Sequence, residues 1–182
     1  MNAANGDRKV KRFYSLTEIL VVIGIIGILA AMGVGVFGLV SDRVAYSETE
    51  TGIKRLEAAL QNVKAKFGYL PDHDGPMRAD GDFLGGAKLK TVFLESMGGA
   101  SNFADMTVKI DGVKYFSDGW ERPYLLKVPG DKNRNGFDLV SAGIDGEIDG
   151  VAVLNADGKY NSACKDKIGS ADGVEHDDVT NF

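Results

Sequence analysis

From residue 19 to residue 40 the chain runs without a charged side chain, and nearly every position is apolar. As a helix rising 1.5 Å per residue, such a run reaches about 33 Å, enough to cross the hydrocarbon core of a bilayer. Beyond Ser41 and Asp42 the pattern turns amphipathic. Ile53, Leu56, Leu60, Val63 and Phe67 follow one another at steps of three, four, three and four, which places them on one helix face. Lys54, Arg55, Glu57, Gln61, Lys64 and Lys66 fall mostly elsewhere, and no proline interrupts residues 44–67. Gly68 suits a C-terminal cap, and Pro71 prevents continuation. The pattern predicts one helix over about residues 16–67. Its first half is apolar all round, and its second half lays a stripe on the rest of the chain. Two heptads of that stripe are too short for a coiled coil.

Residues 71–106 are rich in Gly, Asp and Met and predict little beyond a short helix near residues 88–97. Residues 107–110 and 113–116 flank Asp111-Gly112 and read as a hairpin, because both centre positions of that turn need positive φ. Residues 124–128 and 137–141 are further strands, separated by Pro129-Gly130 and Asn135-Gly136. The predicted fold is α+β, a long N-terminal helix packed on a small antiparallel sheet with a C-terminal loop. Its parts are a basic leader (1–13), an apolar helix (14–40), an amphipathic helix (41–68) and a globular head (69–182).

The chain has 182 residues and a net charge of −5, yet residues 1–13 alone carry +3. A basic leader ahead of an apolar span predicts a cytoplasmic N-terminus and a head outside. The acidic remainder excludes a nucleic-acid surface built on clustered Lys and Arg. Cys164 stands alone, which excludes an intrachain disulfide and cysteine-paired zinc sites. His73 and His176 read as surface residues. No nucleophile–base motif, zinc-binding helix or phosphate-binding glycine loop occurs, so the chain reads as no enzyme. The apolar run exceeds the core of a cleaved secretory signal, although Gly33-Val34-Gly35 offers small residues for a cut.

The entry to the apolar run is distinctive. Tyr14-Ser15-Leu16-Thr17-Glu18 leads directly into Ile19-Leu20-Val21-Val22-Ile23-Gly24-Ile25-Ile26. This resembles the N-terminus of type IV pilins and type II secretion pseudopilins, in which a glycine precedes Phe-Thr-Leu-Ile-Glu and a long apolar helix. Glu18 falls fifth after the implied cut between Phe13 and Tyr14, as in that family. Phe13 stands where the family has glycine, and Gly35 where its helix has proline. Gly33, Gly35 and Gly38 form a stretch of low helix propensity that suits bending, and Gly24 and Gly27 suit close helix packing.

The C-terminal half narrows the resemblance. Asp118-Gly119-Trp120-Glu121-Arg122-Pro123-Tyr124 is similar to the Asp-Pro-Trp-Gly-Asn-Pro-Tyr segment of major pseudopilins. Phe137-Asp138-Leu139-Val140-Ser141-Ala142-Gly143-Ile144-Asp145-Gly146 resembles their Tyr-Asp-Leu-Tyr-Ser-Leu-Gly-Ala-Asp-Gly. The last residues, Asp177-Asp178-Val179-Thr180-Asn181-Phe182, resemble their closing Asp-Ile-x-Asn-Trp. Residues 72–110, and an insertion at about 150–174, lie outside the likeness. The resemblance implies a structural Ca2+ held by the Ala142 carbonyl and the carboxylates of Asp145, Asp177 and Asp178. Calcium takes six to eight such oxygens in flexible loops. A second run, Asp131-Lys132-Asn133-Arg134-Asn135-Gly136, begins like an EF-hand but has Ala142 at the twelfth position, so it reads as a polar turn.

The likeness implies a type II secretion pseudopilus subunit of the bacterial inner membrane. It would be cut by a prepilin peptidase between Phe13 and Tyr14, N-methylated on Tyr14, and polymerised with copies of itself in a helical filament. Glu18 would meet the new amine of a neighbour. Other pseudopilins, inner-membrane secretion components and membrane lipid are the further partners implied; nucleic acid is not. A type IV pilus subunit and a non-polymerising, membrane-anchored calcium-binding domain are the alternatives.

Overall fold

The computed structural model describes residues 15–34, 37–170 and 179–182, without the side chains of 31–34, 37–39, 100–101 and 169–170. The leader and Tyr14 lie outside the described residues. The chain divides between Val40 and Ser41 into two units. In the first, helix α1 (Leu16–Val34) leaves every residue from 15 to 30 exposed. Helix α2 (Phe37–Phe67) begins just before the division. The helix expected over 16–67 is thus described as α1 and α2, with residues 35 and 36 outside the description. Among the described residues no helix is long and apolar enough to cross a membrane. The expected span, 14–40, takes in residues and side chains that are not described.

In the second unit α2 buries the predicted stripe: Ile53, Leu56, Leu60 and Val63 are buried, and Phe67 is partly so. The stripe extends upstream through Ala45, Thr49 and Gly52, small residues that hydrophobic periodicity alone does not flag. Gly68 closes the helix with φ +81° and its N–H on the Lys64 carbonyl at 2.7 Å. Strand β1 (His73–Pro76) and helix α3 (Ala87–Ser96) follow. Then come the hairpin β2 (Thr107–Ile110) and β3 (Val113–Phe116), with Asp111 and Gly112 both at positive φ as its turn requires. Strands β4 (Leu125–Val128) and β5 (Asp138–Ser141) fall where expected. A short hairpin, β6 (Glu147–Ile148) and β7 (Val151–Ala152), a 3₁₀ segment (Ser162–Ser170) and β8 (Val179–Thr180) complete the head.

The main sheet is antiparallel in the order β1-β4-β5-β8, so the described fold is α+β as predicted. Strands alternate their side chains between faces, and here both faces are apolar. Leu126, Val128, Leu139 and Val179 face the α2 stripe together with Phe83, Phe93, Phe103 and Phe116. The rings pack at 5.1–5.8 Å, the Phe83–Phe93 and Phe93–Phe116 pairs edge to face. Leu125 and Val140 point the other way, into a second cluster with Ala142, Ile148, Val153, Cys164 and Ile168. The segment read as an insertion therefore roofs the outer face of the sheet. Without it, Leu125 and Val140 would lie in water, at roughly 1.5–3 kcal/mol each.

One sequence reading changes. His73 is not a plain surface residue: it is half-buried, its ring 5.4 Å from that of Phe83. His176 lies outside the described residues. The 131–136 turn is confirmed, and the reason is Asp138. That carboxylate is fully buried and accepts the N–H groups of Lys132 at 2.9 Å and Asn133 at 3.0 Å.

Candidate functional site

Two sets of residues carry the chemistry expected of this chain, one in each unit. At the start of α1, Ser15 precedes the first helical residue, and its carbonyl accepts the N–H groups of Glu18 at 3.0 Å and Ile19 at 3.2 Å. Its hydroxyl lies 2.7 Å from the Thr17 hydroxyl. Glu18 is therefore the third helical residue. There a carboxylate gains from the helix dipole, and Ser-x-x-Glu is also the sequence form of a capping box. A local role for Glu18 thus coexists with any role in assembly. Phe13 and Tyr14, the implied cut and methylation residues, lie outside the described residues.

In the second unit, β5 ends at Ser141 and the chain turns through Ala142, Gly143, Ile144 and Asp145. The Ala142 carbonyl accepts the Gly146 N–H at 3.0 Å, and Asp145 Oδ1 accepts the Glu147 N–H at 2.9 Å. A carbonyl with a carboxylate is the hard-oxygen set that calcium prefers. Val179, where the described chain resumes, pairs with Ser141, one residue before Ala142. Asp177 and Asp178 lie outside the described residues. Among those described, no group of three His, Cys, Asp or Glu side chains forms a metal cluster. The residues present fit the calcium expectation in donor type and supply a part of it.

Beneath this turn lies a cluster to which the sequence reading assigned no role. Asp118 is buried, and its Oδ1 accepts the N–H groups of Trp120 and Arg122, both at 2.9 Å. Its Oδ2 accepts the Ser141 hydroxyl at 2.6 Å. Burial pushes the Asp118 carboxyl pKa upward, against the pull of those three hydrogen bonds and of the Arg122 charge. The Arg122 guanidinium donates to the Gly143 carbonyl. Elsewhere, a polar recess of about 240 Å³ opens between Glu48, Arg55, Asp105 and Gly119, with Arg55 bonded to the Asn102 carbonyl at 2.7 Å.

Comparison with protein-family models, with curated proteins and with solved structures gave no match for this chain.

Proposed function

We propose that this chain is a pilin-like structural subunit of a type II secretion pseudopilus, polymerised through its N-terminal helix at the bacterial inner membrane. The observation that carries the reading is α1. Ile19, Leu20, Val22, Ile23, Ile25 and Ile26 all remain about half or more exposed, on every side of the helix. Such a surface needs lipid or other helices to cover it. A Cβ at Gly24 or Gly27 would meet nothing within 4 Å, so these positions are open to a close neighbour. The Trp120 turn adds support: Glu121 has φ +62°, in the left-handed region, at the position where the pseudopilin segment has glycine.

In this reading the leader stays in the cytoplasm until a prepilin peptidase cuts between Phe13 and Tyr14. Tyr14 is then N-methylated, and Glu18 pairs with the new amine of the next subunit. Contacts repeated without closure generate a filament. Ca2+ would be held by Ala142, Asp145, Asp177 and Asp178, where it would neutralise the carboxylates and fix the C-terminal loop. Phe13 favours a second reading, an uncut membrane-anchored domain, because an uncut chain offers Glu18 no amine.

The N-terminal mass of protein purified from its own membranes is the test. A chain beginning at methylated Tyr14 supports the filament subunit. One that retains residues 1–13 leaves the anchor, and one cut near Gly35 removes both.

A further inference from the structure

The buried Asp118 cluster reaches further than the turn that contains it. On one side it meets helix α2. The Gly119 N–H donates to Thr49 Oγ1 at 3.0 Å, and the fully buried Thr49 hydroxyl donates in turn to the Ala45 carbonyl at 2.8 Å. The Tyr124 hydroxyl donates to the Thr49 carbonyl at 3.1 Å. Contact here is backbone to backbone. A Cβ on Gly119 would lie 2.5 Å from the Ala45 Cα, and one on Gly52 would strike the Tyr124 hydroxyl. On the other side the cluster meets the 142–146 turn. Ser141 Oγ, which donates to Asp118, accepts the Gly143 N–H at 3.2 Å, while Arg122 holds the Gly143 carbonyl. The guanidinium also lies across Gly146, where a Cβ would meet Arg122 Nε at 2.5 Å.

We propose that Asp118, Arg122 and Thr49 form a clasp that makes order in the 142–146 turn and docking of residues 45–52 of α2 one cooperative event. Arg122 and Asp118 are its positioning residues. Thr49 Oγ1, both Asp118 carboxylate oxygens, Ser141 Oγ and one Arg122 guanidinium nitrogen are each hydrogen-bonded within the clasp or to the segments it joins. Thr49 has one rotamer that both receives Gly119 and reaches Ala45. Asp118 has one that serves Trp120, Arg122 and Ser141 together. Loosening either end removes a partner from a buried group, which costs more than the bond itself is worth. Where the 142–146 turn holds a cation, as the proposed function has it, cation binding is thereby linked to the helix. That extension rests on the calcium reading, whereas the clasp does not.

Coupling of this kind is reciprocal, so it can be measured from both ends. The full-length chain in detergent micelles is followed by amide hydrogen exchange, resolved to the segments 45–52, 117–122 and 143–147. Arg122→Gln, a half-exposed position, should raise exchange in 143–147 and also in 45–52, by about three- to tenfold for one lost hydrogen bond. Thr49→Val should do the same from the other end, and Thr49→Ser should restore protection at both. Lys54→Ala, on the exposed side of α2, should alter neither. If Arg122→Gln raises exchange in 143–147 alone, or Thr49→Val in 45–52 and 117–122 alone, the clasp is overturned. Should Thr49→Val unfold the head, the Arg122→Gln arm decides by itself. Calcium chloride against chelator, on the wild type, separates the two readings. If calcium does nothing while the variants stay coupled, the calcium expectation fails and the clasp stands.

Discussion

On α1, apolar side chains such as Ile19, Leu20, Val22 and Ile26 are about half exposed, whereas on α2 Leu56, Leu60 and Val63 are fully buried. The two stretches use much the same residues for different ends. In α1 the apolar positions run round the whole helix, so no single face is distinguished. In α2 they are confined to one stripe, and Lys54, Glu57, Gln61 and Lys64 hold the other side in water. A stripe is satisfied by the chain's own sheet. A helix apolar all round is satisfied by lipid or by other copies. Their glycines differ in the same sense: Gly24 and Gly27 face open space, while Gly119 is pressed against the Ala45 backbone. One unit leaves its apolar side chains exposed, and the other buries its own.

The largest expected effects test that division directly. Truncating the core with Leu56→Ala or Phe116→Ala should destabilise the head by about 2–5 kcal/mol, read by chemical denaturation in micelles. Ile25→Ala should leave that transition unchanged and lower filament yield. If Ile25→Ala destabilises the head as much as Leu56→Ala does, the contrast between the two stretches is wrong.

Next in size is Glu18, where the proposed pairing in a filament and helix capping make different demands. Glu18→Gln keeps a side chain able to close a capping box but removes the charge. Glu18→Ala removes both. A buried pair broken on one side loses on the order of 3–5 kcal/mol per contact, against about 0.3–1 kcal/mol for the dipole. Both variants should therefore fail to form filaments in cells while keeping wild-type head stability. Filaments formed by Glu18→Gln would reduce Glu18 to its local role.

Gly119→Ala comes third. Its Cβ collides with backbone rather than with a movable side chain, so the turn must lift from α2, at about 1–3 kcal/mol. Gly24→Ala and Gly27→Ala should show no such loss in the head, and a slight gain of helix instead.

What the sequence revealed divides along similar lines. The α2 stripe, the Gly68 cap and the 111–112 turn were legible because each is a local rule with a fixed spacing. Strand β1 was not, since His-Asp-Gly-Pro contains no strand-forming residue; it exists because β4 offers it a ladder. The outer apolar cluster was equally hidden. Val153, Cys164 and Ile168 are too scattered to show a period, and Leu125 and Val140 sit beside Leu126 and Leu139, which face the other way, so neither strand shows an apolar–polar alternation. The Asp118–Tyr124 segment was visible as a likeness, but its hydrogen bond to Thr49, 69 residues before Asp118, was not. Long-range hydrogen bonds between small polar residues leave no periodic trace.

The smallest expected effect concerns pH and concerns the head alone. Burial beside Phe83 lowers the His73 pKa below its ordinary value, and the Lys165 charge adds to this. The Gly75 and Pro76 backbone and the Asp74 carboxylate pull the other way. The folded head therefore prefers neutral His73, while the unfolded chain takes a proton near pH 6.5. As pH falls through that value the unfolded state binds more protons, so stability declines, and the decline ends once pH passes the folded value. Asp118 works in the opposite sense. Its raised carboxyl pKa means that the folded state holds its proton longer, so its contribution falls as pH rises from about 4. The two windows differ, and substitution separates them. His73→Gln should flatten the stability profile just below pH 6.5 and leave its acid end unchanged. Asp118→Asn should flatten the segment above about pH 4 and leave the histidine limb in place. Both profiles come from denaturation midpoints between pH 4 and 8. In Ile25→Ala the full wild-type profile should persist, because His73 and Asp118 both lie in the second unit and Ile25 in the first.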